Sequence, residues 1–183
     1  RAGFWKKKDP IDGVNVAGIV RGTVDPGHFL VVSAHYDHLG VREGTLYPGA
    51  DDNASGTAAM LAAARWFKAH PPRHSLMFVG FDGEERGLKG AEAFVAAPPV
   101  PLAQVLADVN FDMLSRNPDN EIFVTGLYAN PQLKPMVEAV RAQAKPTIIE
   151  GHDFPRPFWD MEDWTSQSDQ GAFADQGIPF LYL

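Results

Sequence analysis

The sequence predicts an α/β fold in a single domain, because apolar runs of strand length alternate with helix-length stretches rich in alanine and leucine. Its 183 residues are enough to bury a hydrophobic core without disulfide bonds. Hydrophobic residues make up 45% of the chain and charged residues 21%, both close to the averages for folded proteins. Intrinsic disorder and a fibrous repeat are therefore poor interpretations.

The charge balance and the residue types present narrow the possible functions. The chain has 16 Lys and Arg against 23 Asp and Glu, a formal charge of −7 that repels phosphate backbones and anionic membrane surfaces. We therefore expect no nucleic acid as a partner. No apolar run approaches the ~20 residues that span a bilayer, so no membrane insertion is expected either. The chain has no cysteine, so any bound metal must be held by histidines and carboxylates.

The first half of the chain predicts two strands, a helix and a third strand. Residues 14–24 and 29–34 are apolar or β-branched, and Asp25-Pro26-Gly27 between them is typical of a turn, so a hairpin is expected. A Gly-rich loop then leads into a helix over residues 55–69, which two prolines end. Residues 76–81 form a short apolar run typical of a buried strand.

The second half continues the alternation of helices and strands. In chain order, the same criteria predict a helix over residues 88–97, strands over 105–111 and 122–125, a helix over 133–144, and strands over 147–150 and 178–183. No internal repeat or linker interrupts the chain, which favours one domain over residues 1–183. Because the chain stops directly after a predicted strand, we expect this domain to continue beyond Leu183.

Polar side chains gather where the predicted strands end, which is where α/β sheets bind ligands. The segments are His35-Tyr36-Asp37-His38, Asp51-Asp52-Asn53, Asp82-Gly83-Glu84-Glu85 and Asn110-Phe111-Asp112. Each has an ordinary structural interpretation: a polar surface loop, a helix cap or a solvated pair of glutamates. Their coincidence at four places indicates a metal site, in which adjacent carboxylates can divide metal binding and proton transfer between them.

Four motifs resemble the co-catalytic di-zinc exopeptidases, a family that includes secreted bacterial leucine aminopeptidases, glutamate carboxypeptidase II and the glutaminyl cyclases. They run from Ala34 to His38, from Pro48 to Gly56, from Phe81 to Leu88 and from Asn110 to Met113, in the family's order, with a weaker continuation through Ser168-Asp169 and Gly177-Ile178-Pro179. The resemblance implies a three-layer sandwich, in which helices cover both faces of a central mixed, mostly parallel, twisted sheet.

The resemblance also implies a role for each matching residue. Asp52 would bridge two zinc ions. His35 and Asp112 would complete the ligands of one ion, and Glu85 would bind the other. Glu84 would be the general base, which takes a proton from the attacking water and passes it to the leaving amine.

Further expectations follow for the surroundings of these residues. Asp37 is placed for its carboxylate to accept a hydrogen bond from His35 and so to orient that ligand. The Asp52–Asn53 peptide bond is expected to be cis. The family's fifth ligand is a histidine that would lie beyond Leu183; recruitment of His152 is an alternative, and a place in a surface loop is the more ordinary interpretation of that residue. His38 is assigned no ligand role.

The implied activity is that of a zinc-dependent exopeptidase, most directly an aminopeptidase that removes N-terminal residues from a peptide substrate. Imidazole and oxygen ligands without sulfur suit zinc, with manganese or cobalt as substitutes. The alternatives are a glutaminyl-cyclase-like acyltransferase with one zinc ion and a non-catalytic binding domain of the transferrin-receptor kind, which would have lost the ligands. By resemblance, the protein is expected in the bacterial periplasm or outside the cell.

Three features near the end of the chain are left open. Gln170 stands where many relatives have a histidine after Ser-Asp. Thr165, Ser166 and Ser168 are candidates, by proximity only, for the group that stabilises an oxyanion. The aromatic stretch over residues 154–164 either walls a pocket for an apolar side chain or packs beneath a loop.

Overall fold

The computed structural model describes residues 12–114, 117–153 and 162–183. Among these residues no helix has both the length and the apolar character needed to cross a membrane. The main elements in chain order are β1 (Val16–Val20), β2 (Asp25–His35), β3 (Gly40–Arg42), β4 (Thr45–Tyr47), α1 (Ala54–Ala69), β5 (His74–Phe81), α2 (Lys89–Ala96), β6 (Val105–Asn110), β7 (Glu121–Val124), α3 (Lys134–Arg141), β8 (Thr147–Glu150), α4 (Gln170–Asp175) and β9 (Phe180–Tyr182).

A five-stranded sheet with the strand order β1-β5-β2-β6-β9 forms the centre of the molecule. β2 pairs in parallel with both β5 and β6, and β6 pairs in parallel with β9. β1 is the exception, because it pairs antiparallel with β5 at the edge. The sheet is therefore mixed and mostly parallel, as predicted.

Helices cover both faces of this sheet. On one face, Met60 of α1 packs against Val32 of β2. On the other face, Phe94 of α2 and Phe173 of α4 pack on Phe81 of β5, with ring centroids 5.6 and 6.2 Å from the Phe81 ring. Burial of apolar side chains on both faces is the main source of stability in such an arrangement. The three layers confirm the predicted fold class.

The predicted hairpin between the first two strands is wrong. β5 lies between β1 and β2, and Asp25 begins β2 instead of starting a turn. The connecting chain crosses the start of β5 at Gly22, where an added Cβ would lie 2.5 Å from the carbonyl carbon of His74. Because β2 is apolar on both faces, it takes the middle of the sheet with a parallel neighbour on each side.

The predicted helices and strands are present, most of them with shifted ends. The largest differences are in the first two strands, because β1 ends at Val20 where the sequence predicted residue 24 and β2 begins at Asp25 where it predicted residue 29. α3 ends at Arg141 where the sequence predicted residue 144. The β3–β4 hairpin and α4 were not predicted. Glu43 and Gly44 at the turn of this hairpin have φ values of 50° and 81°, the left-handed conformation that two-residue hairpin turns require. β7 and β8 form a small parallel sheet beside α3.

Candidate metal centre

The carboxyl ends of β2, β5 and β6 meet at one edge of the sheet, and the predicted motifs meet there too. His35 is the last residue of β2 and lies beside Phe81, the last residue of β5. Asp112 follows β6 by two residues, and the loop before α1 brings Asp52 to the same edge. The parallel topology therefore assembles side chains that are far apart in the sequence.

The first ligand group consists of His35, Asp52 and Asp112. His35 Nε2 lies 3.2 Å from Asp52 Oδ1 and 3.3 Å from Asp112 Oδ1. Tetrahedral zinc with bonds of about 2.0–2.1 Å separates its ligand atoms by about 3.3 Å. The imidazole of His35 is almost completely buried, at 1% exposure. These three side chains are thus spaced as ligands of one ion.

The second ligand group consists of His38, Asp52 and Glu85. His38 Nδ1 lies 2.8 Å from Glu85 Oε1 and 3.7 Å from Asp52 Oδ2. The two oxygens of Asp52 therefore face different groups, as they must in a carboxylate that bridges two ions. The motif resemblance gave His38 no ligand role, although His38 lies only three residues after His35 at the same strand end.

Asp37 links the His35 segment to the glutamate pair. Its carboxylate accepts hydrogen bonds from the backbone N–H groups of Glu84, at 3.0 Å, and Glu85, at 3.3 Å. His35 Nδ1 lies 3.1 Å from the carbonyl oxygen of Asp37 but 3.6 Å from its carboxylate, which is too long for a hydrogen bond. The hydrogen bond that orients His35 thus runs to the Asp37 backbone, and the carboxylate holds the glutamate turn.

The loop before α1 is tied to the end of β6 by Asn53. The Asp52–Asn53 peptide bond is cis, which confirms the prediction. Asn53 Oδ1 caps α1 by accepting a hydrogen bond from the N–H of Gly56 at 3.0 Å. Its Nδ2 donates to the carbonyl oxygen of Phe111 at 2.9 Å. Through these two bonds Asn53 fixes Asp52 relative to Asp112.

The electrostatics of the cluster favour a bound cation. Burial raises the pKa of Glu84 to about 7, and burial together with Asp112 raises the pKa of Asp52. Burial alone would lower the pKa of His35, but Asp112 and Asp37 outweigh that effect and raise it to about 11. The negative electrostatic potential of these carboxylates stabilises a proton on His35, and the same potential attracts a divalent cation. Imidazole and carboxylate donors fit zinc.

Gln170 belongs to a buried network behind the ligand groups. Asn110 Nδ2 donates to Gln170 Oε1 at 2.9 Å and to Ser168 Oγ at 3.0 Å, and Gln170 Nε2 donates to the carbonyl oxygen of Trp164 at 2.7 Å. These bonds hold the end of β6 against the start of α4. Between them in the chain, Asp169 is fully buried, and burial holds the pKa of its carboxyl well above the usual range.

A cavity of about 490 Å³ opens beside the first ligand group. Its lining includes the carboxylates of Asp52, Glu84 and Asp112. Its apolar walls are formed by Met113, Leu114, Ile122, Phe123, Trp164, Tyr182 and Leu183. Among the described residues, Thr165, Ser166 and Ser168 are not part of this lining. A cavity of this size and character fits an apolar side chain of a small ligand.

Trp164, which lines this cavity, stacks against His152. The His152 ring stacks on Trp164 with centroids 3.5 Å apart, and His152 Nδ1 lies 3.1 Å from the carbonyl oxygen of Glu162. His152 is therefore part of a loop and not of either ligand group. Trp164 lines the cavity, whereas residues 154–161 of the predicted aromatic stretch lie outside the described residues.

Comparisons with known proteins agree with this site. A probable zinc metalloprotease of Pyrenophora tritici-repentis is 30% identical over 112 residues, which are 59% of this chain and 26% of that protein. The structure of BSAP, a zinc aminopeptidase from Bacillus subtilis, superposes with a TM-score of 0.67 and 26% identity over 92% of this chain and 39% of that one.

A glutaminyl cyclase of Porphyromonas gingivalis shares the fold, with a TM-score of 0.71 and 18% identity over 93% of this chain and 62% of that one. The chain spans about a quarter or less of the length of the curated relatives it matches, with 26%, 24% and 18% covered in three of them. The sequence profile described as peptidase family M28 matches residues 15–183. With its motifs assembled at one edge of a mostly parallel sheet, the chain belongs to peptidase family M28.

Proposed function

We propose that this chain carries the catalytic centre of a two-zinc aminopeptidase. The observation that carries the proposal is the pair of ligand groups that share Asp52 beside a single cavity. Membership of family M28 and the likeness to BSAP, a zinc aminopeptidase, support the same activity. In this proposal the substrate is a peptide, and the apolar cavity walls take up its N-terminal side chain.

The chain's own residues divide the work of hydrolysis. His35, Asp52 and Asp112 would hold one ion, and Asp52 and Glu85 would hold the other. Polarisation of the substrate carbonyl and acidification of water are the chemistry that two zinc ions supply in such a site. The carbonyl oxygen of Asp37 keeps the His35 imidazole in one orientation, with Nε2 towards Asp52 and Asp112.

Glu84 is the group that we propose moves the proton. It lines the cavity beside Asp52 and Asp112, and the Asp37 carboxylate fixes its backbone. Burial raises the pKa of Glu84 to about 7, close to the value that suits transfer of a proton in both directions. Bound cations would lower this pKa and favour the carboxylate, the form that accepts a proton from water.

The substitution Glu84→Gln tests this proposal. We expect the variant to retain two zinc ions and to lose about 10²–10⁴-fold in kcat on a panel of aminoacyl anilides, because glutamine cannot accept the proton. Glu92→Gln is the matched control, since Glu92 is an exposed residue of α2 that belongs neither to the cavity lining nor to either ligand group, and it should keep its zinc and most of its activity. Full activity in zinc-loaded Glu84→Gln would overturn the assigned role.

A glutaminyl-cyclase-like acyltransferase is the second candidate, supported by the shared fold. It predicts one zinc ion per chain and cyclisation of peptides with N-terminal glutamine. Zinc content and that assay separate it from the aminopeptidase. The transferrin-receptor-like binding domain is disfavoured, because His35, Asp52, Glu85 and Asp112 lie within the two ligand groups. Localisation in the periplasm or outside the cell stays a prediction.

A further inference from the structure

We propose that Asn15 is a positioning residue that holds Glu84 and Glu85 in place for the reaction. Both glutamates lie in the turn over residues 83–88, which we call the glutamate turn. Asn15 lies directly before β1, outside the cavity lining and outside both ligand groups. The inference rests on the proposed two-zinc function and extends it to a residue that acts through the backbone.

The first argument is that the Asn15 amide bonds to the chain on both sides of the glutamate turn. Its Nδ2 donates to the carbonyl oxygen of Gly90 at 2.8 Å, and its Oδ1 accepts from the N–H of Asp82 at 3.2 Å. Asp82 comes directly before the turn, and Gly90 follows it in the first turn of α2. One side chain therefore ties the two ends of the turn to each other and to the start of β1.

The second argument is that the contact with Gly90 leaves no spare room. A Cβ added at Gly90 would lie 2.5 Å from Asn15 Oδ1 and 2.3 Å from the carbonyl oxygen of Asp82. The backbone of α2 thus approaches the Asn15 amide and the end of β5 as closely as glycine permits. The two ends of the glutamate turn are set by direct contact at this point.

The third argument is that the segment before β1 also bonds to the end of β2. The N–H of Val14 donates to Asp82 Oδ2 at 3.0 Å, and the Tyr36 hydroxyl donates to the carbonyl oxygen of Val14. Tyr36 lies between His35 and Asp37 in the chain. The residues next to Asn15 therefore connect the segment that carries His35 to the segment that carries the two glutamates.

The fourth argument is that the glutamate turn has a backbone that needs support from outside. Leu88 has a φ of 57°, a left-handed conformation that costs energy for a residue with a side chain. On the side of the metal centre, the Asp37 carboxylate accepts hydrogen bonds from the N–H groups of Glu84 and Glu85. Asn15 holds the ends of the same turn, so its loss should let the turn relax and move both glutamates.

Zinc titration of the metal-free, full-length protein is the first test, with Asn15→Ala and the wild type compared by competition with a chromophoric chelator. We expect the variant to bind the ion at His35 and Asp112 as the wild type does. The ion at Glu85 should bind about 10–100-fold more weakly, the usual effect of losing a group that orients a ligand. At saturating zinc, kcat should fall about 10–100-fold with KM within about twofold of wild type, because the change displaces Glu84 and leaves the cavity intact.

Asn130→Ala is the matched control. Asn130 is a buried asparagine whose Nδ2 donates to the carbonyl oxygens of Gly126 and Phe180, outside the cavity lining and both ligand groups. Its loss removes the same kind of side chain-to-backbone bonds from another loop. This variant should keep wild-type zinc binding and kcat.

Amide hydrogen exchange of the metal-free proteins separates positioning from a general loss of stability. The N–H groups of Glu84 and Glu85, which donate to Asp37, should exchange faster in Asn15→Ala than its global free energy of unfolding accounts for. In Asn130→Ala they should exchange no faster than the global value allows. This readout needs neither zinc nor a substrate.

Wild-type exchange at both glutamates in Asn15→Ala, or an affinity for the Glu85 ion within twofold of wild type, would overturn the role of Asn15 and leave the two-zinc function intact. An equal loss of kcat in Asn130→Ala would also overturn it, since a general loss of stability would then explain the effect. A wild type that binds two ions but releases no N-terminal residue would overturn the aminopeptidase function, while the zinc and exchange measurements still decide the role of Asn15. A wild type that binds no zinc would overturn both proposals.

Discussion

Asp52 is the residue on which both ligand groups depend. Its Oδ1 faces His35 and its Oδ2 faces His38, so one side chain would serve both of the proposed ions. Asparagine has nearly the same shape but lacks the negative charge and the second oxygen. We therefore expect Asp52→Asn to lose both ions, as measured by elemental analysis after dialysis. Asp51→Asn makes the same charge change one residue earlier and should retain two ions. Two retained ions in Asp52→Asn would contradict the bridging role.

The buried carboxyl group of Asp108 makes the free energy of unfolding depend on pH. The side chain is fully buried in β6, where Oδ1 accepts a hydrogen bond from Ser33 Oγ at 2.8 Å. Burial raises the pKa of Asp108 from 3.8 to about 8. Between these two values the folded protein holds a proton that the unfolded chain has released. Raising the pH therefore lowers the free energy of unfolding, by at most about 1.4 kcal/mol per pH unit, until both states are ionised above pH ~8.

The substitution Asp108→Asn removes this titration. We expect the variant to lose less stability than the wild type between pH 5 and pH 8, as measured by urea unfolding at several pH values within that range. Asp119→Asn, at an exposed position, should keep the wild-type slope. Identical slopes for Asp108→Asn and the wild type would show that Asp108 is ionised in the fold.

At the scale of elements, the first turn of α1 depends on close contact with the end of β6. A Cβ at Gly56 would lie 2.3 Å from the carbonyl oxygen of Phe111 and 2.4 Å from Asn53 Oδ1. Gly56→Ala should therefore push α1 away, costing about 1–3 kcal/mol in the free energy of unfolding and weakening zinc binding through Asp52. Denaturant unfolding and zinc titration measure the two effects.

Gly18→Ala is the matched control for this prediction. Gly18 lies in β1, and an added Cβ would meet no atom within 4 Å. Its substitution should change the free energy of unfolding by less than about 0.5 kcal/mol. If Gly56→Ala were equally mild, the contact between α1 and β6 would be less tight than the structure shows.

Local sequence patterns predict the positions of individual helices and strands better than they predict which strands pair. α1 and β5 follow from runs of about the right length and composition, and their ends follow from Asn53 and the prolines after α1. The partner of β1 does not follow from such runs. It depends on β2 being buried on both faces, which requires a neighbour on each side and places β5 between the two strands.

At the scale of the whole molecule, zinc should stabilise the fold, because its proposed ligands come from β2, from the loop before α1 and from the segments that follow β5 and β6. Metal that binds only the folded state adds about 4 kcal/mol when its free concentration is a thousandfold above Kd. For a chain of this size this corresponds to a rise in Tm of roughly 10 °C. Calorimetry with zinc and with a chelator measures the shift. Asp52→Asn should show no such shift in Tm. A wild-type Tm that does not change when zinc is added would contradict the metal site.

The sequence by itself determined the α/β class and the four ligand-bearing segments, because apolar periodicity and the spacing within a motif are local properties of the chain. Only the tertiary structure decided that β1 pairs with β5 and that His38 lies beside Glu85. It also showed that the backbone of Asp37, not its carboxylate, accepts the hydrogen bond from His35. The physical reason is that strand order and side-chain distances between remote segments are set by packing the whole sheet, which no local pattern records.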